Sequence, residues 1–143
     1  MTFVRSFIGL MLLSILAGVA GADDFSTTSV PGTELYFISP ADGAEIKGPV
    51  HVQFGLRGMG VAPAGTEKEG TGHHHLLVDV PLPPLDENII ADENHIHFGG
   101  GQTETTITLS PGQHTLQLLL GDLNHLPHKP AVFSRQITIT VIE

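Results

Sequence analysis

His73-His74-His75-Leu76-Leu77-Val78-Asp79-Val80, closed by Pro81-Leu82-Pro83-Pro84, is the stretch on which the fold turns. His74, Leu76, Val78 and Val80 fall on every second position and so share one face, while His73 and His75 take the other. That period of two belongs to a β-strand. The same period recurs on both sides. Val50, Val52, Phe54 and Leu56 alternate in Val50–Leu56, Ile96 and Phe98 in His95–Phe98, and Leu116, Leu118 and Leu120 in His114–Leu120. Leu35–Ile38 and Thr103–Leu109 are further β-runs, and a closing strand over Val132–Ile142 places Ile137, Ile139 and Val141 on one face. Ser39-Pro40-Ala41-Asp42-Gly43, Gly99-Gly100-Gly101 and Ser110-Pro111-Gly112 are turn clusters between them. Residues 57–72, 85–94 and 121–130 are loops, the middle one acidic with an apolar centre at Ile89-Ile90. No capped helical stretch is present. The expected fold is all-β, an immunoglobulin-like β-sandwich of about seven to eight strands, forming a single domain over residues 34–143.

The 143 residues suit one domain. Met1–Ala22 has the form of a secretory leader. Arg5 supplies the positive start, Phe7–Ala17 the apolar run and Ala20-Gly21-Ala22 a small-x-small cleavage site. Cleavage after Ala22 is expected to leave a flexible mature N-terminus, residues 23–33, on a protein of the periplasm or the secreted space. No stable membrane insertion is expected after that cleavage, because no later segment is apolar enough to span a bilayer. The formal charge is −9, from 6 Lys+Arg against 15 Asp+Glu. Such a surface repels phosphate backbones, which argues against nucleic-acid binding. With no Cys, disulfides, thiolate metal sites and Cys nucleophiles are excluded.

Histidine is the unusual component: nine are present, all beyond residue 50. His73 and His75 are two apart in one strand, so they project from one face roughly 6–7 Å apart. His95 and His97 repeat the spacing in the following strand. If the two strands are neighbours, cross-strand Cβ distances of about 4.5–5.5 Å bring four imidazoles around one point. His125 and His128, in the loop after the Leu116–Leu120 strand, are placed to complete or vary that set. Neutral imidazole is a good ligand for zinc and copper. Asp79, Glu104, Asp122 and Asn124 lie near these segments and are candidates to orient the rings from behind. Met59, in Gly58-Met59-Gly60, is a weaker candidate for a soft axial ligand, with packing over the sandwich edge as its ordinary role. His51 and His114 stand alone and carry no such expectation.

Other motifs are weaker. Gly99-Gly100-Gly101-Gln102 lacks the Lys-Ser/Thr of a phosphate loop, and the acidic run Asp86–Glu93 matches no calcium-loop spacing. No Gly-x-Ser-x-Gly elbow is present.

Gly72-His73-His74-His75-Leu76-Leu77-Val78-Asp79, His95–Glu104 and His114–Asp122 together resemble the signatures of a family of small exported bacterial proteins, the domain of unknown function (DUF) 4399 family. The resemblance runs from about Ile38 to the C-terminus. It implies an exported, single-domain protein and supplies no activity.

The residues themselves point to an exported domain that binds copper or zinc for buffering, transfer or sensing. Its partners would be the metal ion and a second periplasmic protein. A blue-copper centre is excluded by the missing Cys. Two other classes stay open. One is a zinc-dependent hydrolytic or cupin-like enzyme with an open metal position, although the Glu usual after a cupin's first His pair is absent. The other is a metal-free module in which histidine protonation near pH 6 nearly cancels the negative charge.

Overall fold

The computed structural model describes residues 26–143, so the expected leader lies outside the described residues. All regular elements among them are strands, nine in number. They are β1 (Glu34–Ser39), β2 (Glu45–Lys47), β3 (Val50–Arg57), β4 (Gly60–Val61), β5 (Thr71–Val78), β6 (His95–His97), β7 (Glu104–Ile107), β8 (Gly112–Gly121) and β9 (Ile137–Ile142). One sheet has the order β1-β3-β7. The other runs β2-β9-β8-β5-β4, with β6 also paired to β5.

The expected alternation builds the space between the sheets. Val50, Val52 and Phe54 of β3 meet Leu76 and Val78 of β5, Leu116, Leu118 and Leu120 of β8, and Ile137, Ile139 and Val141 of β9. Phe98 joins them from beyond β6. Burying each such side chain contributes about 1.5–3 kcal/mol, which makes this layer the main source of stability. The fold is thus a sandwich-like all-β domain, as the alternation predicts.

Three features depart from the alternation. β2 and β4 are additional short strands, of 3 and 2 residues, below the length at which a period is visible. The closing strand begins at Ile137 rather than Val132. Leu116 pairs Ile137 but Leu119 pairs Phe133, so one extra residue bulges out between them. Finally, β5 ends at Val78 because Asp79 takes a left-handed conformation, φ 58°. The Asp79 carboxylate accepts the Thr115 N–H at 2.8 Å and meets His114 Nδ1 at 2.7 Å, which compensates for that conformation.

The outer face of the larger sheet positions the histidines. β5 is buried on both faces, whereas a half-buried strand would alternate. Leu77 and Leu119, facing away from the main core, are almost wholly buried. The acidic loop and the loop after β8 meet on this side, Ile89 N–H donating to His125 C=O, and Ile89 is buried while its neighbour Ile90 is exposed. Within the segment before β1, Thr28 bridges Lys129, and Ser29 N–H donates to Lys129 C=O at 3.0 Å.

Candidate metal centre

β5 and β6 are antiparallel neighbours with His75 opposite His97 and Leu77 opposite His95. The adjacency on which a shared histidine site depends is therefore present. On its other edge β5 pairs β8, with His73 opposite Gly121 and His75 opposite Leu119. His73 and His75 thus stand on the outer face, with His97 alongside. The chain leaves β8 at Gly121, turns at Asp122 and brings His125 back over them.

Four imidazoles meet there. Ring centroids are 4.8 Å apart for His73–His75, 5.0 Å for His73–His97, 5.0 Å for His73–His125 and 4.8 Å for His97–His125. His75 lies 5.1 Å from His97 and 6.3 Å from His125. His97 Nε2 and His125 Nε2 are 3.2 Å apart. One ring nitrogen each from His73, His97 and His125 can be chosen so that all three lie within 4.8 Å of one another. Two glycines clear the space. A Cβ on Gly121 would lie 2.6 Å from His75 Cε1, and one on Gly99 would lie 2.4 Å from His97 Cε1.

Burial shapes the chemistry of these rings. His73 and His75 are almost fully buried, and His97 and His125 partly so. Burial, reinforced by neighbouring His125 and His97, pushes the His73 pKa down to about 4, against the opposing pull of Asp122. The His75 pKa is pushed down to about 3 by burial and then by His73, His97 and His125. Burial and His125 also lower that of His97. His73 and His75 are accordingly neutral at pH 7, the form that ligates metal. His73 Nε2 and both ring nitrogens of His75 are buried without a hydrogen-bond partner. Each such group ordinarily costs about 1–3 kcal/mol.

The loop holding His125 is built around Asp122, which is fully buried. Its Oδ1 accepts the N–H groups of Asn124 (2.8 Å) and Leu126 (3.0 Å), and its Oδ2 accepts the Thr27 N–H (3.0 Å). His125 N–H donates to Asp122 C=O at 3.0 Å, and Ile89 N–H donates to His125 C=O at 2.8 Å. These bonds hold His125 at φ 65°, a left-handed conformation unfavourable for a side-chain-bearing residue. The Asn124 carbonyl accepts from Asn88 Nδ2 at 2.8 Å, joining the acidic loop to the His125 loop.

The remaining candidates lie elsewhere. The His95 ring bonds Asp92 Oδ1 at 2.8 Å, and that same oxygen accepts the backbone N–H of Asn94 and His95. His95 is thereby drawn into its own turn, and His125 takes the place expected for it. His128 Nδ1 meets Thr27 Oγ1 at 2.7 Å, while its Nε2 is buried against Gly72, where a Cβ would lie 2.7 Å away. Gly72 shares the inward face with His74, so His128 stands apart from the four rings. Asp79 engages His114. Glu104 is on the other sheet, beside His51 (3.6 Å) and Gln53 (3.0 Å). Met59 packs against the main core. His74 also belongs to the inward layer, 5.1 Å from Phe54, and burial pushes its pKa down to about 4.

A family model described as Domain of unknown function (DUF4399) matches residues 52–142, a span that includes β5, β6 and the His125 loop. No curated protein and no solved structure matches the chain.

Proposed function

We propose that this chain, which belongs to the DUF4399 family, binds one transition-metal ion, copper or zinc, through His73, His97 and His125, with His75 completing the set. The observation that carries the reading is the convergence of these imidazoles, with buried ring nitrogens on His73 and His75 that nothing else engages. Ligand nitrogens about 2.0–2.1 Å from a tetrahedral zinc lie roughly 3.3 Å from each other. The 3.2 Å between His97 Nε2 and His125 Nε2 fits that separation. Without metal, the same pair is accounted for by one N–H donating to the other nitrogen. That bond leaves the His73 and His75 atoms unsatisfied, whereas an ion would engage one nitrogen of each ring; orphaned ring nitrogens on His74 and His128 lie outside this cluster. Together with the leader-like start, the reading is of a periplasmic or secreted domain that buffers, transfers or senses metal, handing it to a second exported protein.

The other two classes have less support. The two carboxylates named as bases for a zinc hydrolase are not free at the cluster: Glu104 lies on the opposite sheet and both Asp122 oxygens are engaged by backbone N–H groups. An acid sensor working near pH 6 needs rings that titrate there, whereas His73 and His75 are pushed down to about 4 and about 3. The test is metal analysis of untagged protein purified from its native compartment. Near-stoichiometric copper or zinc supports the reading, and its retention at catalytic turnover would move it toward the enzyme class. Metal-free protein that also fails to take up either ion on reconstitution refutes it.

A further inference from the structure

His73 and His75 are carried by β5 and His97 by β6, both integral to the large sheet. His125 alone among the four comes from a loop, so its departure is the least costly way to open the site. What holds that loop is distant in sequence. Thr27 N–H supplies the third donor to the Asp122 carboxylate, across 95 residues of chain. Thr27 C=O accepts from Lys129 N–H at 2.9 Å, and Ser29 N–H returns to Lys129 C=O at 3.0 Å. Ser29 Oγ, buried, donates to Pro130 C=O at 2.8 Å, and Thr27 Oγ1 bonds His128 Nδ1 at 2.7 Å. One short segment therefore grips the His125 loop at both of its ends, Asp122 on one side and His128–Pro130 on the other.

We propose that Ser26–Val30 is a strap that sets how long the metal stays bound, with Thr27 as a positioning residue acting through Asp122 and His128. The inference rests on the metal reading above. The strap lies before the matched family span of residues 52–142, so this chain adds the restraint from outside the matched region. Physically it is preorganisation. His125 is kept in its left-handed conformation before the ion arrives, and must break bonds to a second segment before it can leave.

The test uses the folded full-length mature protein and three variants, Thr27→Val, Thr27→Ser and Thr27→Pro. Thr27→Val keeps the shape and the N–H but loses the hydroxyl, Thr27→Ser keeps both groups, and Thr27→Pro removes the N–H donated to Asp122. Two quantities are read: hydrogen exchange of the Asn124 and Leu126 amides in metal-free protein, and release of Zn²⁺ from loaded protein to excess chelator. Loss of one neutral hydrogen bond predicts a rise of roughly three- to tenfold in both for Thr27→Val, with Thr27→Ser near wild type. Thr27→Pro should exceed Thr27→Val. Exchange unchanged in Thr27→Val and Thr27→Pro, alongside normal zinc capture, overturns the strap alone. Faster exchange with unchanged zinc release overturns its control of the metal. A wild-type chain that captures no zinc removes the metal reading, and the strap's role in release with it.

Discussion

Gly121→Ala probes the tightest contact in the histidine cluster. The added Cβ would lie 2.6 Å from His75 Cε1, 3.1 Å from its Nδ1 and 3.3 Å from Ile89 Cδ1. Carbon atoms pack comfortably at about 3.5–4.0 Å, so the ring must retreat by roughly 1 Å. It has little room to do so, being fully buried between His73 and His97. Overpacking of this kind costs about 1–3 kcal/mol. Replacing Gly by Ala where φ is ordinary returns about 0.4–1 kcal/mol through the unfolded chain. The net expectation is a loss of about 0–2.6 kcal/mol, measured by denaturant unfolding of the metal-free protein. In a His75→Ala background the methyl group enters vacated space and becomes neutral or stabilising, a coupling of at least about 1 kcal/mol. The displaced ring should also weaken zinc binding about tenfold. An equal effect of Gly121→Ala in both backgrounds would refute the claim that His75 and Gly121 share this space.

Acidity should act on stability with opposite signs at two places. His73, His74 and His75 have folded pKa values pushed down to about 4, about 4 and about 3. The unfolded chain therefore takes up protons first, and metal-free protein should lose stability as pH falls from about 6.5 toward 4, with saturating zinc opposing the loss. His114 is the reverse case: its Nδ1 meets Asp79 at 2.7 Å and its Nε2 meets the Ser110 carbonyl at 2.8 Å, and the Asp79 bond raises its pKa. Its stabilisation is complete below about pH 6.5 and lost as pH rises through the raised folded value. His114→Gln should flatten that alkaline limb in a series of unfolding curves. Leu118→Ala, at a fully buried core position, should cost about 2–5 kcal/mol by the same assay, and a smaller loss would contradict the placement of the core. His95→Ala should leave zinc affinity within about twofold of wild type, since that ring is bound to Asp92. A tenfold loss would return His95 to the ligand set.

The main layer of the fold was legible because β3 and β9 bury essentially one face, and a period of two reports that directly, while β8 shows its apolar alternation in Leu116, Leu118 and Leu120 although its second half is buried on both sides. β5 was legible as a strand but not as one buried on both sides. A pair of loops meets on its outer side, and no periodicity announces that Ile89 folds inward while Ile90 does not. The two His-x-His pairs left open whether their strands are neighbours; β5 and β6 do pair, and His73, His75 and His97 converge. The exchange of His95 for His125 was hidden because local bonding decides it. Asp92, three residues before His95, captures that ring in a turn, while the buried Asp122 carboxylate folds the later loop back over the site. A buried Asp shortly after a strand, followed by a His, is the available signal for the second event. The tie between Thr27 and Asp122 spans most of the domain and leaves no trace in local pattern. Gly99 and Gly121 read as turn residues, though each also makes room for an imidazole.

The central claim is that His73, His75, His97 and His125 form one metal site. Calorimetric titration of Zn²⁺ and Cu²⁺ into the metal-free protein, with a His73→Ala/His125→Ala double variant run alongside, tests it most directly. One ion per chain is expected at submicromolar affinity, with a loss of at least a hundredfold in the double variant, which is about 2.7 kcal/mol. Weak binding that the double variant leaves unchanged would contradict it.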